Sequence, residues 1–284
     1  MSSQPPKISK PPIAGDAEKI IRRDVELMAR SYKRLFPLVV KSIKGSIVED
    51  VNGNQYIDFT ANFGTLILGG GHPRIVQAIR EQAEKVASYS LMSVYCEEAL
   101  ELAEELSRIA PIRGDVRVIY TNSESEAIDA AFRALNWHTG KNIVLSFLGS
   151  KHGSTQVGLM LSSSSLGERR STKIENVIYA PSPRCSRCPL GLSSENCKFK
   201  CLEYSQELVK ALAPDDLSLV VFEPIQVESG VVIPPDGYLE RLVQLAKSLG
   251  ALSIANESYT APARIGRWFA LDYRNVKVDA VCLG

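Results

Sequence analysis

Two apolar stretches of this chain close on polar residues able to do chemistry. Val220 to Phe222 runs into Glu223-Pro224, and Ala251 to Ala255 runs into Asn256-Glu257, with a helix expected from Gly237 to Gly250 between them. A strand, crossover helix and parallel strand in that order place ligands beyond the carboxyl ends of the strands. Ser123, Glu124 and Ser125 sit in YTNSESEAIDAA, at the end of an expected strand and the start of an expected helix. Free backbone N–H groups and the positive end of a helix dipole favour a phosphate there. Simple capping of the helix by Ser, Asn and Glu is the plainer alternative. Lys151-His152-Gly153 opens a Ser-rich loop, where a lone His has no chemistry on its own account. Cys185-x2-Cys188-x8-Cys197-x3-Cys201 is close to four-thiolate zinc spacing on a Pro- and Gly-rich loop. Disulfides and reduced thiols are the alternatives, and disulfides inside a cell would point to a hyperthermophilic source. Cys96 and Cys282 read as core positions.

The elements that must hold these residues follow from pattern. The 284 residues and 45% hydrophobic content support one large α/β domain with appended pieces. A net charge of +1 offers no electrostatic case for nucleic acid or an anionic membrane surface. No apolar run reaches the roughly 18 residues that span a bilayer, and the first 16 residues lack the apolar core of a secretory signal. They read as a flexible arm on a cytoplasmic protein. Residues 17–34 form a helical lead-in, and residues 41–60 give three short strands with turns at Lys44-Gly45 and Asn52-Gly53. A helix follows Gly69 to Pro73, with apolar residues at 75, 76, 79, 83 and 86 on one face. Glu97 to Ile109 is a further amphipathic helix, Val116 to Thr121 a buried strand, Glu126 to Thr139 a helix and Asn142 to Phe147 a strand. Alternation of strand and helix from about residue 110 argues for a mostly parallel sheet covered on both faces.

Taken together, EPIQVESG from Glu223, PPDGYL from Pro234 and ANESY from Asn256 resemble the EPIQGEGG, PPDGYL and ADEVQ of the class III (subgroup II) pyridoxal-phosphate aminotransferases. That group holds the 4-aminobutyrate and acetylornithine aminotransferases. NGNQYIDF, TNSESEA, His152-Gly153, IGRWFA and the final VKVDAVCLG extend the resemblance over roughly residues 20–284, about the first two thirds of a family member. It implies a fold-type I architecture: an arm over residues 1–16, the N-terminal part of a small domain over 17–70, and an incomplete large domain over 71–284 with a Cys-rich loop at 181–201. It also implies pyridoxal phosphate as cofactor and amino transfer from an amino acid or omega-amino acid to a 2-oxo acid. Archaeal-type relatives carry a comparable Cys loop, which makes the loop equally a family insertion.

By the same resemblance, Ser123, Glu124 and Ser125 fall where the family grips the cofactor phosphate, with Glu124 in place of a Gly and Ser125 in place of a Thr. Lys151 replaces an aromatic residue that stacks on the pyridine ring, and His152 follows it. Asn256 replaces the Asp that pairs with the pyridine nitrogen, Ser258 a Val that packs on the ring, and Tyr259 a Gln near the ring hydroxyl. Glu228 matches a Glu that forms a movable ion pair at the substrate. Losing a buried charged partner costs on the order of 3 to 5 kcal/mol, roughly two to three decades or more in rate where it falls on the transition state. Ungapped alignment puts the catalytic Lys directly after Gly284, so no catalytic Lys is expected in this chain.

Three functions follow as expectations: an aminotransferase whose remainder lies elsewhere, a noncatalytic relic or regulatory subunit paired with an active paralogue, and a metal- or redox-responsive binding protein using the Cys loop. A homodimer or hetero-association is expected in each of the first two.

Overall fold

The computed structural model describes residues 6–164, 176–193 and 195–284. They fall into two compact units, one ending at Tyr95 and the other running from Cys96 to Gly284.

In the first unit a helix, α1 (Asp16–Leu27), precedes three antiparallel strands, β1 (Val40–Lys44), β2 (Ile47–Asp50) and β3 (Gln55–Ile57). The turns fall at the two glycines the sequence marks, Gly45 at φ +59° and Gly53 at φ +81°, values that a residue without Cβ adopts freely. Asn54 Oδ1 accepts from Ser9 N at 2.8 Å and from Lys10 N at 3.0 Å, which pins the described part of the N-terminal arm to the second turn. Pro73 opens α2 (Pro73–Lys85), where its missing N–H costs nothing. Ile75 and Ile79 on the apolar face of α2 are exposed.

The second unit starts with α3 (Glu97–Ile109) and is built on five parallel strands. These are β4 (Ile143–Phe147), β5 (Val177–Ala180), β6 (Leu217–Phe222), β7 (Leu252–Asn256) and β8 (Ala280–Cys282), in the order β5-β4-β6-β7-β8. Every neighbouring pair is parallel. Successive side chains of β6 pack on opposite faces: Val220 and Phe222 join a core with α6 (Lys200–Leu212) and α7 (Tyr238–Ser248). Leu219 and Val221 join a second core under α4 (Glu124–Thr139) and α5 (Gln156–Leu161). All six residues of β6 are buried, as a central strand covered on both faces requires.

One expected strand is absent. Val116 to Thr121 belongs to no strand, and Ile119 and Tyr120 are exposed. The chain runs beside β8 only at its start, where Ile112 and Val278 form a parallel bridge. Beyond it the segment splays from β8, leaving an apolar cavity of about 480 Å³ over Ala131 and Leu135 of α4. The alternating apolar residues are those of a strand, but the segment does not pair with the free edge of β8.

Candidate functional site

The carboxyl ends of β4, β6 and β7 meet around the backbone of one residue. Lys151 follows the turn that closes β4; its N–H donates to Glu223 Oε2 at 2.9 Å, and its carbonyl accepts from Asn256 Nδ2 at 3.2 Å. Glu223 and Asn256 therefore stand at the site because they end adjacent parallel strands, as their sequence positions anticipate.

Asn256 is almost fully buried, and its amide is fully engaged. Oδ1 accepts from Ser258 N at 3.1 Å and from Ser258 Oγ at 2.5 Å, while Nδ2 faces Lys151 O and His152 Nδ1, the latter at 3.4 Å. An amide has two donors and two acceptor positions, so none is left over. His152 is completely buried, and its N–H donates to Ser162 Oγ at 2.8 Å. Burial pulls its pKa down to about 3, which keeps the ring neutral. With Nδ1 accepting from Asn256, the proton sits on Nε2, a buried atom with no hydrogen-bond partner.

The helix start that reads as a phosphate site is α4. Ser123 is its N-cap, with Oγ accepting from Glu126 N at 3.2 Å, and Glu126 Oε2 accepts in return from Asn122 N at 2.7 Å. This reciprocal pair satisfies two N–H groups that would otherwise face outward. Ser125 Oγ accepts from Ser154 N at 3.0 Å. Gly153 makes that approach feasible: it has φ +109°, and a Cβ there would lie 2.6 Å from Ser125 Oγ. Glu124, the first helical residue, turns toward the strand ends. A Cβ on Gly284, just past β8, would lie 3.0 Å from Glu124 Cβ and 3.2 Å from Ser258 Cβ.

Carboxylates dominate the electrostatics. Glu223 is 7% exposed, and its Oε1 has no partner. Burial, with the neighbouring charges of Glu124 and Glu228, pushes its pKa up to about 8. Glu228 lies on the exposed loop after β6 and accepts a 2.6 Å hydrogen bond from Tyr259 OH. Burial and that bond hold the Tyr259 phenol well above its usual range. Burial also raises the Cys282 thiol to about 12, and Glu124 adds to the shift.

Glu223 and Ser258 also stand at the site: Glu223 where it closes an apolar run before Pro224, and Ser258 through its bonds to Asn256. Glu257, equally placed at the end of β7, does something else. Its Oε2 accepts from Ala270 N at 2.9 Å and from the Thr260 hydroxyl, and its Oε1 from Leu271 N at 3.0 Å. It is an anchor for the 3-10 turn Ala270–Arg274.

The four loop cysteines form a separate cluster. Cys185 begins a 3-10 turn, Cys201 is buried in the first turn of α6, and all six cysteines of the chain are free. Burial raises Cys185, with Cys197 and Cys188 adding to the shift, and burial with Cys197 raises Cys201 to about 11. Among the described residues no group of three or more His, Cys, Asp or Glu side chains is arranged to hold a metal ion, so the zinc reading finds no support in the geometry. Cys96 is half-buried at the start of α3 rather than in a core.

Comparison with known proteins places this geometry. The sequence profile described as "Aminotransferase class-III" matches residues 27–284. An alanine/serine racemase of Pyrococcus horikoshii is 32% identical over 98% of this chain and 60% of its own length. A leucine/methionine racemase of Thermococcus litoralis is 30% identical over 93% and 60%. A probable 4-aminobutyrate aminotransferase of Bacillus subtilis is 30% identical over 86% and 56%. Among solved structures, an omega transaminase from Pseudomonas jessenii in complex with PMP superposes with a TM-score of 0.85 at 25% identity, over 93% of this chain and 61% of that one. The chain thus spans about 60% of the length of the relatives it matches.

Proposed function

The chain belongs to the class III aminotransferase family, and from that premise we propose that it is a noncatalytic member: a fold-type I scaffold with the family's strand-end site, lined by residues that do not fit the cofactor of amino transfer. Family membership alone does not select the reaction, since the matched relatives include racemases as well as aminotransferases.

The observation that carries the reading is Asn256. A pyridine nitrogen held protonated needs a fixed negative partner, and here the residue at that strand end is a neutral amide whose donors and acceptors are spent on Ser258, Lys151 and His152. The phosphate end fits no better. The first turn of α4 carries Glu124 and Glu126, and Glu126 already occupies the Asn122 N–H. A carboxylate among these donors repels a dianion. The residues present therefore do not fit pyridoxal phosphate, and no reaction step is assigned through it. The cytoplasm is the setting this reading implies, in keeping with six unpaired cysteines.

Association with a second polypeptide is the other half of the proposal. Phe59, Met92 and Tyr95 are almost wholly exposed in the first unit and Trp137 in the second, more large apolar surface than a stable monomer ordinarily leaves in water. A second copy or a complementary class III chain would cover it.

Titration of the purified chain with pyridoxal phosphate, followed by borohydride reduction and intact-mass measurement, tests the catalytic half. We expect no stoichiometric adduct. One added cofactor mass on a single Lys would overturn the reading.

A further inference from the structure

We infer that Cys185-Ser186-Arg187-Cys188 is a reversible oxidation site: its two thiols close into a disulfide by exchange with an anionic low-molecular-weight disulfide such as oxidised glutathione, and closure acts through Arg184 on the loop after β6. The inference goes beyond the reading above and does not rest on it.

The pairing follows from the local backbone. Cys185–Arg187 form one 3-10 turn, and Cys188 follows it directly. In such a turn side chains at i and i+3 eclipse, and three residues rise about 6 Å. A disulfide bridges Cα atoms roughly 4.4–6.8 Å apart, so the turn brings the two thiols into closing range. Pro189 favours the extended conformation that Cys188 shows, φ −58° and ψ 121°, and ends the turn there. Both cysteines are free and half-buried, beside the exposed Ser186 and Arg187. Cys201, by contrast, is buried in the core formed with α6 and α7. Cys185, Arg184 and Arg187 line a pocket of about 320 Å³ together with residues 229–233. Its two cations suit the carboxylates of oxidised glutathione. In the exchange Cys185, as thiolate, attacks one sulfur of the incoming disulfide, which forms a mixed disulfide and releases one glutathione thiolate. Cys188, after losing its proton to solvent, attacks the Cys185 sulfur and expels the second glutathione. The two cysteine thiols lose two electrons in all, and the incoming disulfide is reduced to two thiols. Arg184 links this turn to the strand ends: its guanidinium donates to Ser229 O, and Ser229 Oγ donates to Gly149 O at 2.6 Å, which ties the loops after β6 and β4 to the residue preceding Cys185.

Incubation of the whole chain in mixtures of reduced and oxidised glutathione, followed by alkylation with N-ethylmaleimide and peptide mapping, tests this. In the oxidising mixtures wild type is expected to lose alkylation at Cys185 and Cys188 alone, to yield a peptide with those two residues bridged, and to recover both sites in dithiothreitol. Cys188→Ser should stop at the mixed disulfide, with one glutathione on Cys185, whereas Cys197→Ser should leave the bridge unchanged. Alkylation of all six cysteines in the most oxidising mixture would overturn the inference, as would a bridge that links Cys197 or Cys201 instead. Protection of the loop thiols that a chelator relieves would mean a bound metal and would overturn it too. The amides of Gly230 and Val231, which donate to Val227 O on the loop after β6, should change their exchange rate at least twofold when wild type is oxidised. An unchanged rate would overturn the link through Arg184.

Discussion

Two buried residues at the site pull the stability of the protein in opposite directions with pH. His152 is held neutral with its pKa near 3, below the 6.5 of an unfolded His, so the unfolded chain binds the extra proton and stability falls as pH drops from 6.5 toward 3. Glu223 is raised to about 8 from 4.5, so the folded chain holds the extra proton and stability falls as pH rises from 4.5 to 8. Between 4.5 and 6.5 the two slopes oppose one another, and the melting temperature should be flattest there. Glu223→Gln should remove the alkaline decline, raising the melting temperature at pH 8 relative to wild type while leaving it unchanged or lower at pH 5. An unchanged alkaline slope in that variant would show that burial does not hold Glu223 protonated. Asn256→Asp makes a second test. It would replace the Nδ2 donor to Lys151 O with a buried carboxylate, and should cost about 1–3 kcal/mol in urea unfolding while raising the pKa of His152 through the new charge. That variant restores the family's residue type, so a gain in stability instead would mean the surrounding network is still tuned for an acid.

At the scale of elements, the β6-α7-β7 unit was legible because each strand is a run of apolar residues closed by a polar one, with Pro234-Pro235-Asp236-Gly237 marking the helix start. The start of α4 was read two residues late, although Ser123-x-x-Glu126 is a capping-box pattern that places the N-cap at Ser123. Glu257 could not be sorted from Asn256 by sequence: both end the same strand, and only contacts made 13 and 14 residues further on show that Glu257 serves the 3-10 turn. Val116 to Thr121 failed for the opposite reason, since strand pattern is local and strand pairing is not. Glu257→Ala should leave the N–H groups of Ala270 and Leu271 buried without an acceptor, at roughly 3 kcal/mol or more for the two together; chemical denaturation checks it. Gly153→Ala should be costly as well, because φ +109° strains any residue with a Cβ and the added carbon would meet Ser125. The expected loss is about 2 kcal/mol or more, with the Ser154 N to Ser125 Oγ bond broken.

At the scale of the molecule, the exposed apolar side chains of both units are what the proposed association with a second polypeptide would cover. Sedimentation of the purified chain should show self-association, or a complex when a longer class III chain is added, and a single compact monomer at all concentrations would count against it. The splayed segment beside β8 has its own signature in isotope exchange. Among the described residues the backbone amides from Asp115 to Thr121 find no hydrogen-bond acceptor, whereas those of β6 are locked in a parallel ladder on both sides. In heavy water the first set should take up deuterium within seconds and the second only over far longer times. Anything that comes to occupy the cavity of about 480 Å³ between this segment and β8 would therefore announce itself as amides of residues 115–121 that stop exchanging.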